Sequence, residues 1–185
     1  MEESDWSSDV CSSDLGRIAQ ERGLALLHST NDPLVVAGAG TMTLEILAQQ
    51  PDLDALVIAL GGGSQSVGAL TVALTKKPAL KVYAVGAEGA PAQYDSWTKG
   101  ARLTGQPART FAEGIATGSA YVLTFAALRE GLSDFIKVSD AEMYAAVRDL
   151  IRITHNLPEG ASLRRPASPA CASSRRGSRG SGSAS

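Results

Sequence analysis

An apolar run that ends in three consecutive glycines is the feature that most constrains the fold. Residues 53–60 are almost entirely apolar, glycines occupy positions 61–63, and residues 66–74 are small and apolar with helical spacing. A continuous apolar run of this length is typical of a strand buried on both faces of a parallel sheet. The sequence therefore predicts a strand, a glycine turn and a helix in direct succession.

The rest of the interior repeats this alternation of strands and helices. Such alternation indicates an α/β fold, with a twisted, mostly parallel sheet flanked by helices. Residues 34–37 fit either a strand or a loop, and Thr41 is predicted to cap the helix that follows them. The predicted strands are residues 53–60, 80–85 and 135–138, and the predicted helices are 17–28, 41–50, 66–74, 92–99, 121–129 and 140–155.

Both ends differ in composition from the interior. Residues 5–15, DWSSDVCSSDL, match the translation of a common sequencing-library adapter, so we predict that residues 1–15 are a disordered scar. A natural leader rich in serine and aspartate is the alternative. Residues 162–185 lose apolar periodicity and become rich in Ser, Arg, Gly, Ala and Pro, which predicts a disordered, frameshifted tail. Its arginines also fit a nucleic-acid arm, and residues 16–161 remain as a partial catalytic domain.

Charge and hydropathy narrow the classes of function. Charged residues make up 19% of the chain and the formal net charge is −2, which gives no general attraction to nucleic acid or to an anionic membrane. No apolar run approaches the ~20 residues of a membrane span, so the cytoplasm is the expected location. Both cysteines, Cys11 and Cys171, lie in the unusual ends, so neither a disulfide nor a thiolate metal site is expected in the interior.

The glycine turn has the properties of an anion site. Ligands of open α/β sheets bind beyond the carboxyl ends of the strands. Glycines let backbone amides approach a ligand, and the following helix directs unpaired N–H groups and its positive end to the same place. We therefore predict that Gly61, Gly62, Gly63 and Ser64 bind a phosphate. A turn that serves only close packing is the alternative.

Other ligands remain open at this point. Gly61, Gly63 and Ser66 approximate the dinucleotide-binding fingerprint, and Glu88 follows the next predicted strand, where an acid could hold a ribose. An NAD(P)-binding oxidoreductase of the Rossmann type and a non-catalytic small-ligand domain are therefore alternatives.

Five blocks of sequence, in order, resemble the fold type II pyridoxal-phosphate-dependent enzymes. The resemblance is strongest to the serine/threonine dehydratases (the threonine ammonia-lyase family) and implies the C-terminal part of a catalytic domain of the tryptophan synthase β type. The blocks are DPLVVAGAGT (32–41), DALVIALGGG (54–63), VGAEGAP (85–91), TFAEGIA (110–116) and THNLPEGA (154–161).

The resemblance implies roles for individual residues. Residues 61–64 correspond to the glycine loop that binds the phosphate of pyridoxal 5′-phosphate, although the family usually has glycine at the position of Ser64. Gly114 and Glu159 correspond to positions beside the cofactor ring. Glu88 and the carbonyl of Ala92 correspond to ligands of a divalent cation in some relatives, with Tyr94 at the third position. Tyrosine is a poor ligand for a hard cation, which prefers carboxylate and carbonyl oxygens.

The resemblance also implies a lysine that this chain lacks in the expected context. The family lysine forms a Schiff base with the cofactor and lies in a Ser-Phe-Lys-like motif. We predict that the parent protein eliminates water from a β-hydroxy amino acid, giving a 2-oxo acid and ammonia, and that it is a homo-oligomer. The chain alone is expected to be inactive, with no catalytic residue assigned. Its lysines are Lys76, Lys77, Lys81, Lys99 and Lys137.

Overall fold

The structure is a computed structural model that describes residues 8–162 of the 185-residue chain, with side chains for residues 15–161. Helices and strands alternate along most of this range, as the sequence predicts. The helices are α1 (Ser8–Arg22), α2 (Pro33–Gln49), α3 (Ser64–Lys76), α4 (Ala92–Lys99), α5 (Val122–Gly131) and α6 (Asp140–Thr154), the strands are β1 (Ala55–Ala59), β2 (Lys81–Ala87) and β3 (Asp134–Val138), and short 3₁₀ helices cover Glu113–Ile115 and Gly160–Ser162.

The three strands form one parallel sheet in the order β1-β2-β3. In the register, Ala59 lies opposite Val85, and Val85 lies opposite Ile136. Among the described residues, β1 therefore pairs on one side only and forms an edge of the sheet. The predicted α/β fold class is confirmed.

Each face of the sheet carries its own apolar core. On one face, Ile58, Val82 and Phe135 pack with Leu70 of α3 and Leu128 of α5. On the other face, the second cluster includes Val85 and Val138 of the strands, with Met143 and Ala146 of α6. Burial on both faces explains why the first two strands have nearly continuous apolar sequences.

Helix α2 differs from the prediction. The expected strand or loop at residues 34–37 is wrong, because helix begins at Pro33 and continues to Gln49. The Asp32 side chain accepts hydrogen bonds from the N–H groups of Leu34 and Val35, and Pro33 suits a first helical position. Thr41 is therefore not a cap; it lies inside the helix, and its hydroxyl donates to the carbonyl of Gly38 at 2.7 Å.

Near the start of the described range the structure differs from the predictions, and beyond both ends they are not tested. Helix α1 includes residues 8–15, where we expected disorder, and it ends at Arg22 instead of continuing to residue 28. Residues 1–7 and 163–185 lie outside the described residues, so the predicted disorder of residues 163–185 stays a prediction, as does the adapter origin of the leader. No helix within residues 8–162 has the length and apolar character needed to cross a membrane.

Candidate functional site

A cavity of about 610 Å³ opens where β1 gives way to α3. Part of its wall comes from β1 itself, and the glycine turn forms another part. The 3₁₀ helix Glu113–Ile115, which is distant in sequence, and the chain near residue 160 form a further part of the wall. The lining includes the six residues predicted to bind a cofactor, namely Gly61, Gly62, Gly63, Ser64, Gly114 and Glu159.

The N-terminus of α3 supplies hydrogen-bond donors to this cavity. Gly63 is the N-cap residue, with a φ of 98°, and no side chain caps the helix. The first helical hydrogen bond at this end joins the N–H of Val67 to the carbonyl of Gly63. Within residues 8–162 the N–H groups of Ser64 and Gln65 have no acceptor, and both residues line the cavity. Free amides and the positive end of a helix dipole attract an anion.

Glycine is required at the turn because backbone and side chains approach it closely. A Cβ at Gly61 would lie 2.9 Å from the carbonyl oxygen of Gly114 and 3.0 Å from the Cα of Ile115. A Cβ at Gly62 would lie 2.3 Å from the Oγ1 of Thr30. Any side chain at these two positions would displace a wall of the cavity. The absence of side chains here therefore maintains the shape of the cavity.

Gly114 and Glu159 are neighbours in space. A Cβ on Gly114 would lie 3.4 Å from a carboxylate oxygen of Glu159 and 3.0 Å from the Cβ of Ala161. The two short 3₁₀ helices, Glu113–Ile115 and Gly160–Ser162, therefore bring these two residues to the same rim of the cavity. A carboxylate and a bare backbone position thus lie next to the glycine turn.

The sequence of residues 3–168 matches the family described as "Pyridoxal-phosphate dependent enzyme". This chain belongs to the pyridoxal-phosphate-dependent enzyme family. Among curated relatives, it is 33% identical over 142 residues to the L-threonine ammonia-lyase of Geobacter sulfurreducens, covering 77% of this chain and 35% of that protein. It is 37% identical over 134 residues to the serine racemase of Rattus norvegicus, covering 71% of this chain and 40% of that protein.

Solved structures of this enzyme family have the same fold. The T.th. threonine deaminase superposes with a TM-score of 0.77 at 32% identity, over 85% of this chain and 53% of that one. Maize serine racemase gives a TM-score of 0.79 at 26% identity, over 86% of this chain and 48% of that one. The chain thus spans about half the length of these solved relatives, and between a third and two fifths of the two curated relatives above.

The cavity fits the cofactor of this family. Pyridoxal phosphate carries an ionised phosphate, and the unpaired amides at the start of α3 are donors for such a group. The volume of about 610 Å³ is within the range of small-molecule sites. Serine stands at position 64, where the family usually has glycine. This does not obstruct the turn, because Ser64 begins α3 as an ordinary helical residue without a positive φ.

No lysine lies among the described residues that line this cavity. Lys76 and Lys77 lie at the far, C-terminal end of α3, where cations suit the helix dipole. Lys137 lies with its ammonium 4.5 Å from the centre of the Tyr94 ring.

The divalent cation predicted at Glu88 and Ala92 stays a prediction. Neither Glu88 nor Ala92 lines the cavity, and the carbonyl of Ala92 already accepts a 2.6 Å hydrogen bond from the hydroxyl of Ser96. At the third position, the ammonium of Lys137 lies over the ring of Tyr94 and would repel a second cation. Residues 8–162 also contain no cluster of three or more His, Cys, Asp or Glu side chains suited to a metal.

Thr30 is a wall residue that the sequence analysis did not select. Its side chain is buried, lines the cavity and contacts Gly62. The turn before α2 holds it in place, because the Nδ1 of His28 accepts hydrogen bonds from the N–H groups of Thr30 and Asn31. His28 also packs edge-on against Tyr121, with 5.0 Å between ring centres. The turn residues SerThrAsnAspPro at positions 29–33 are visible in the sequence, but their proximity to the glycines is not.

Proposed function

We propose that this chain holds the phosphate of pyridoxal 5′-phosphate at the glycine turn. The observation that carries the proposal is the meeting of residues 61–64 with Gly114 and Glu159 around one cavity at the N-terminus of α3. The amides of Ser64 and Gln65 would donate to the phosphate, and the hydroxyl of Ser64 is a further donor. Gly114 and Glu159 would lie beside the cofactor ring.

For the whole protein, we propose elimination of water from a serine- or threonine-like amino acid. Support comes from relatives named as threonine ammonia-lyases and threonine dehydratases. When bound, the cofactor supplies an electron sink for the bond that breaks at the amino acid's α-carbon. Departure of the β-hydroxyl group and hydrolysis of the product would then give a 2-oxo acid and ammonia.

A racemase is the second candidate for the whole protein. The rat serine racemase shares 37% identity with this chain, which is higher than the identity of the threonine ammonia-lyases above. Both activities begin by removing the same α-proton, so one cavity serves either. Assaying the whole protein with L-serine and L-threonine, for both 2-oxo acid and D-amino acid, distinguishes them.

This chain alone is proposed to be inactive. Within residues 8–162, the cavity wall offers no lysine to bond the cofactor or to take the α-proton. The residues present would instead bind the phosphate and shield one side of the ring. Binding without turnover is therefore the expected behaviour.

The direct test is the affinity of the purified chain for pyridoxal phosphate and for NAD(H), measured by calorimetry. We expect saturable binding of pyridoxal phosphate, weakened by replacing Gly62 with a larger residue, and no comparable response to NAD(H). The position of Glu88 supports the expected preference for pyridoxal phosphate over NAD(H), since Glu88 lies outside the cavity and cannot hold a ribose there. Tight NAD(H) binding without a response to pyridoxal phosphate would refute the proposal.

A further inference from the structure

Two buried side chains from different helices donate to a single carbonyl oxygen in the glycine turn. The Nε2 of Gln93 in α4 lies 3.1 Å from the carbonyl oxygen of Gly62, and the Oγ1 of Thr124 in α5 lies 3.0 Å from it. Gln93 is 3% exposed and Thr124 is fully buried. Neither residue lines the cavity. Burying a polar side chain costs free energy unless it is hydrogen-bonded, and here both side chains donate to the same acceptor.

These bonds fix the direction of the peptide between Gly62 and Gly63. The peptide is trans, and in a trans peptide the C=O and N–H groups point in opposite directions. The carbonyl points toward α4 and α5, where it meets two side chains that do not line the cavity. The N–H of Gly63, which itself lines the cavity, therefore points away from α4 and α5.

This direction needs external support, because glycine does not enforce it. Gly63 has a φ of 98°, and glycine occupies positive and negative φ about equally readily. Rotation of the peptide would replace a donor with a carbonyl oxygen at the edge of the anion site. The partial negative charge of that oxygen would repel a phosphate.

We propose that Gln93 and Thr124 are positioning residues for the phosphate of the cofactor. By holding the Gly62 carbonyl back, they present the N–H of Gly63 beside the free amides of Ser64 and Gln65. The role rests on the phosphate site proposed above, but it concerns the orientation of one peptide, which is measurable by itself.

The binding test compares two ligands that differ only by the phosphate ester. Pyridoxamine 5′-phosphate and pyridoxamine are titrated into the full chain by calorimetry; neither has an aldehyde that could react with surface lysines. We expect Thr124→Val and Gln93→Leu each to lower the affinity for the phosphate ester about fivefold, the effect of losing one hydrogen bond of about 1 kcal/mol. The affinity for pyridoxamine should not change, and Thr124→Ser, which keeps the hydroxyl, should restore binding.

A matched control separates positioning from general loss of stability. Ser96 is also fully buried in α4, and its hydroxyl bonds to the carbonyl of Ala92 and accepts from the N–H of Leu103, without touching the turn. Ser96→Ala should lower the melting temperature while leaving the affinity ratio of the two ligands unchanged. An equal loss of phosphate selectivity in Ser96→Ala would overturn the proposal.

A crystal structure of Thr124→Val, or of Gln93→Leu if the first variant does not fold, tests the orientation without any ligand. We expect the 62–63 peptide to be rotated or to adopt two orientations. A peptide that keeps its direction in the variant, with unchanged affinity for the phosphate ester, refutes the positioning role. If the unmodified chain binds neither ligand, the proposed function fails, and the peptide orientation in the variants still decides whether Gln93 and Thr124 hold the 62–63 peptide.

Discussion

The contact between Gly62 and Thr30 gives a sharp test of the cavity geometry. A Cβ added to Gly62 would lie 2.3 Å from Oγ1, 2.5 Å from Cγ2 and 2.9 Å from Cβ of Thr30, whereas ordinary contact begins at 3.4 Å. One of the two segments must therefore move by about 1 Å. Gly62 does not have a positive φ, so the backbone tolerates alanine and the penalty of Gly62→Ala is purely steric.

Overpacking of this kind costs about 1–3 kcal/mol. With a urea dependence of roughly 1–3 kcal/mol per molar, Gly62→Ala should lower the unfolding midpoint by about 1 M. The assay is equilibrium urea unfolding of four proteins: the original chain, Gly62→Ala, Thr30→Gly and the double variant. Removing the Thr30 side chain should recover at least about 1 kcal/mol as a coupling energy. A Gly62→Ala penalty that is independent of Thr30 would show that the two residues are not in contact.

Three further substitutions each test one local feature of the structure. Each is measured as the change in the free energy of unfolding. Gly63→Ala should destabilise by about 1–3 kcal/mol, because its φ of 98° disfavours a side chain and its Cβ would meet Leu128 at 3.0 Å. Gly38→Ala is the opposite case: it has open space in the middle of α2, so alanine should stabilise by up to about 1 kcal/mol. Ser139→Ala removes the capping box formed with Glu142 and should cost about 1 kcal/mol; an unchanged stability would contradict that cap.

Local sequence signals predicted most of the fold, because the strands and helices around the glycine turn and the helix at α6 have strong local signals. The apolar run before the glycines is β1, and α6 begins at residue 140, where the sequence predicted a helix. The error at α2 has a physical cause: the valines at 35 and 36 favour strand, but Asp32 caps the helix and Pro33 starts it. That Asp-Pro pair was a readable start signal.

The site was predictable only where the chain itself brings residues together. Gly61 to Ser64 are consecutive, so the strand–turn–helix pattern was enough to group them. Gly114 and Glu159 followed from family resemblance alone, because their proximity depends on packing between distant 3₁₀ helices. Gln93 and Thr124 were missed for the same reason, since their bonds to Gly62 span 31 and 62 residues of sequence.

A last prediction concerns the kind of binding, because the described part of the cavity wall contains no lysine. If backbone amides alone hold the cofactor, the affinities for pyridoxal 5′-phosphate and pyridoxamine 5′-phosphate should agree within about threefold, because a covalent bond would favour only the aldehyde. Borohydride reduction followed by peptide mass spectrometry should then find no stoichiometric label on any one lysine, and any sparse label should appear equally after pyridoxal treatment. Stoichiometric label on Lys137 or Lys81, lost with excess inorganic phosphate, would show that a lysine reaches the bound aldehyde. The cavity would then have a different shape from the one described, since neither side chain contributes to its wall.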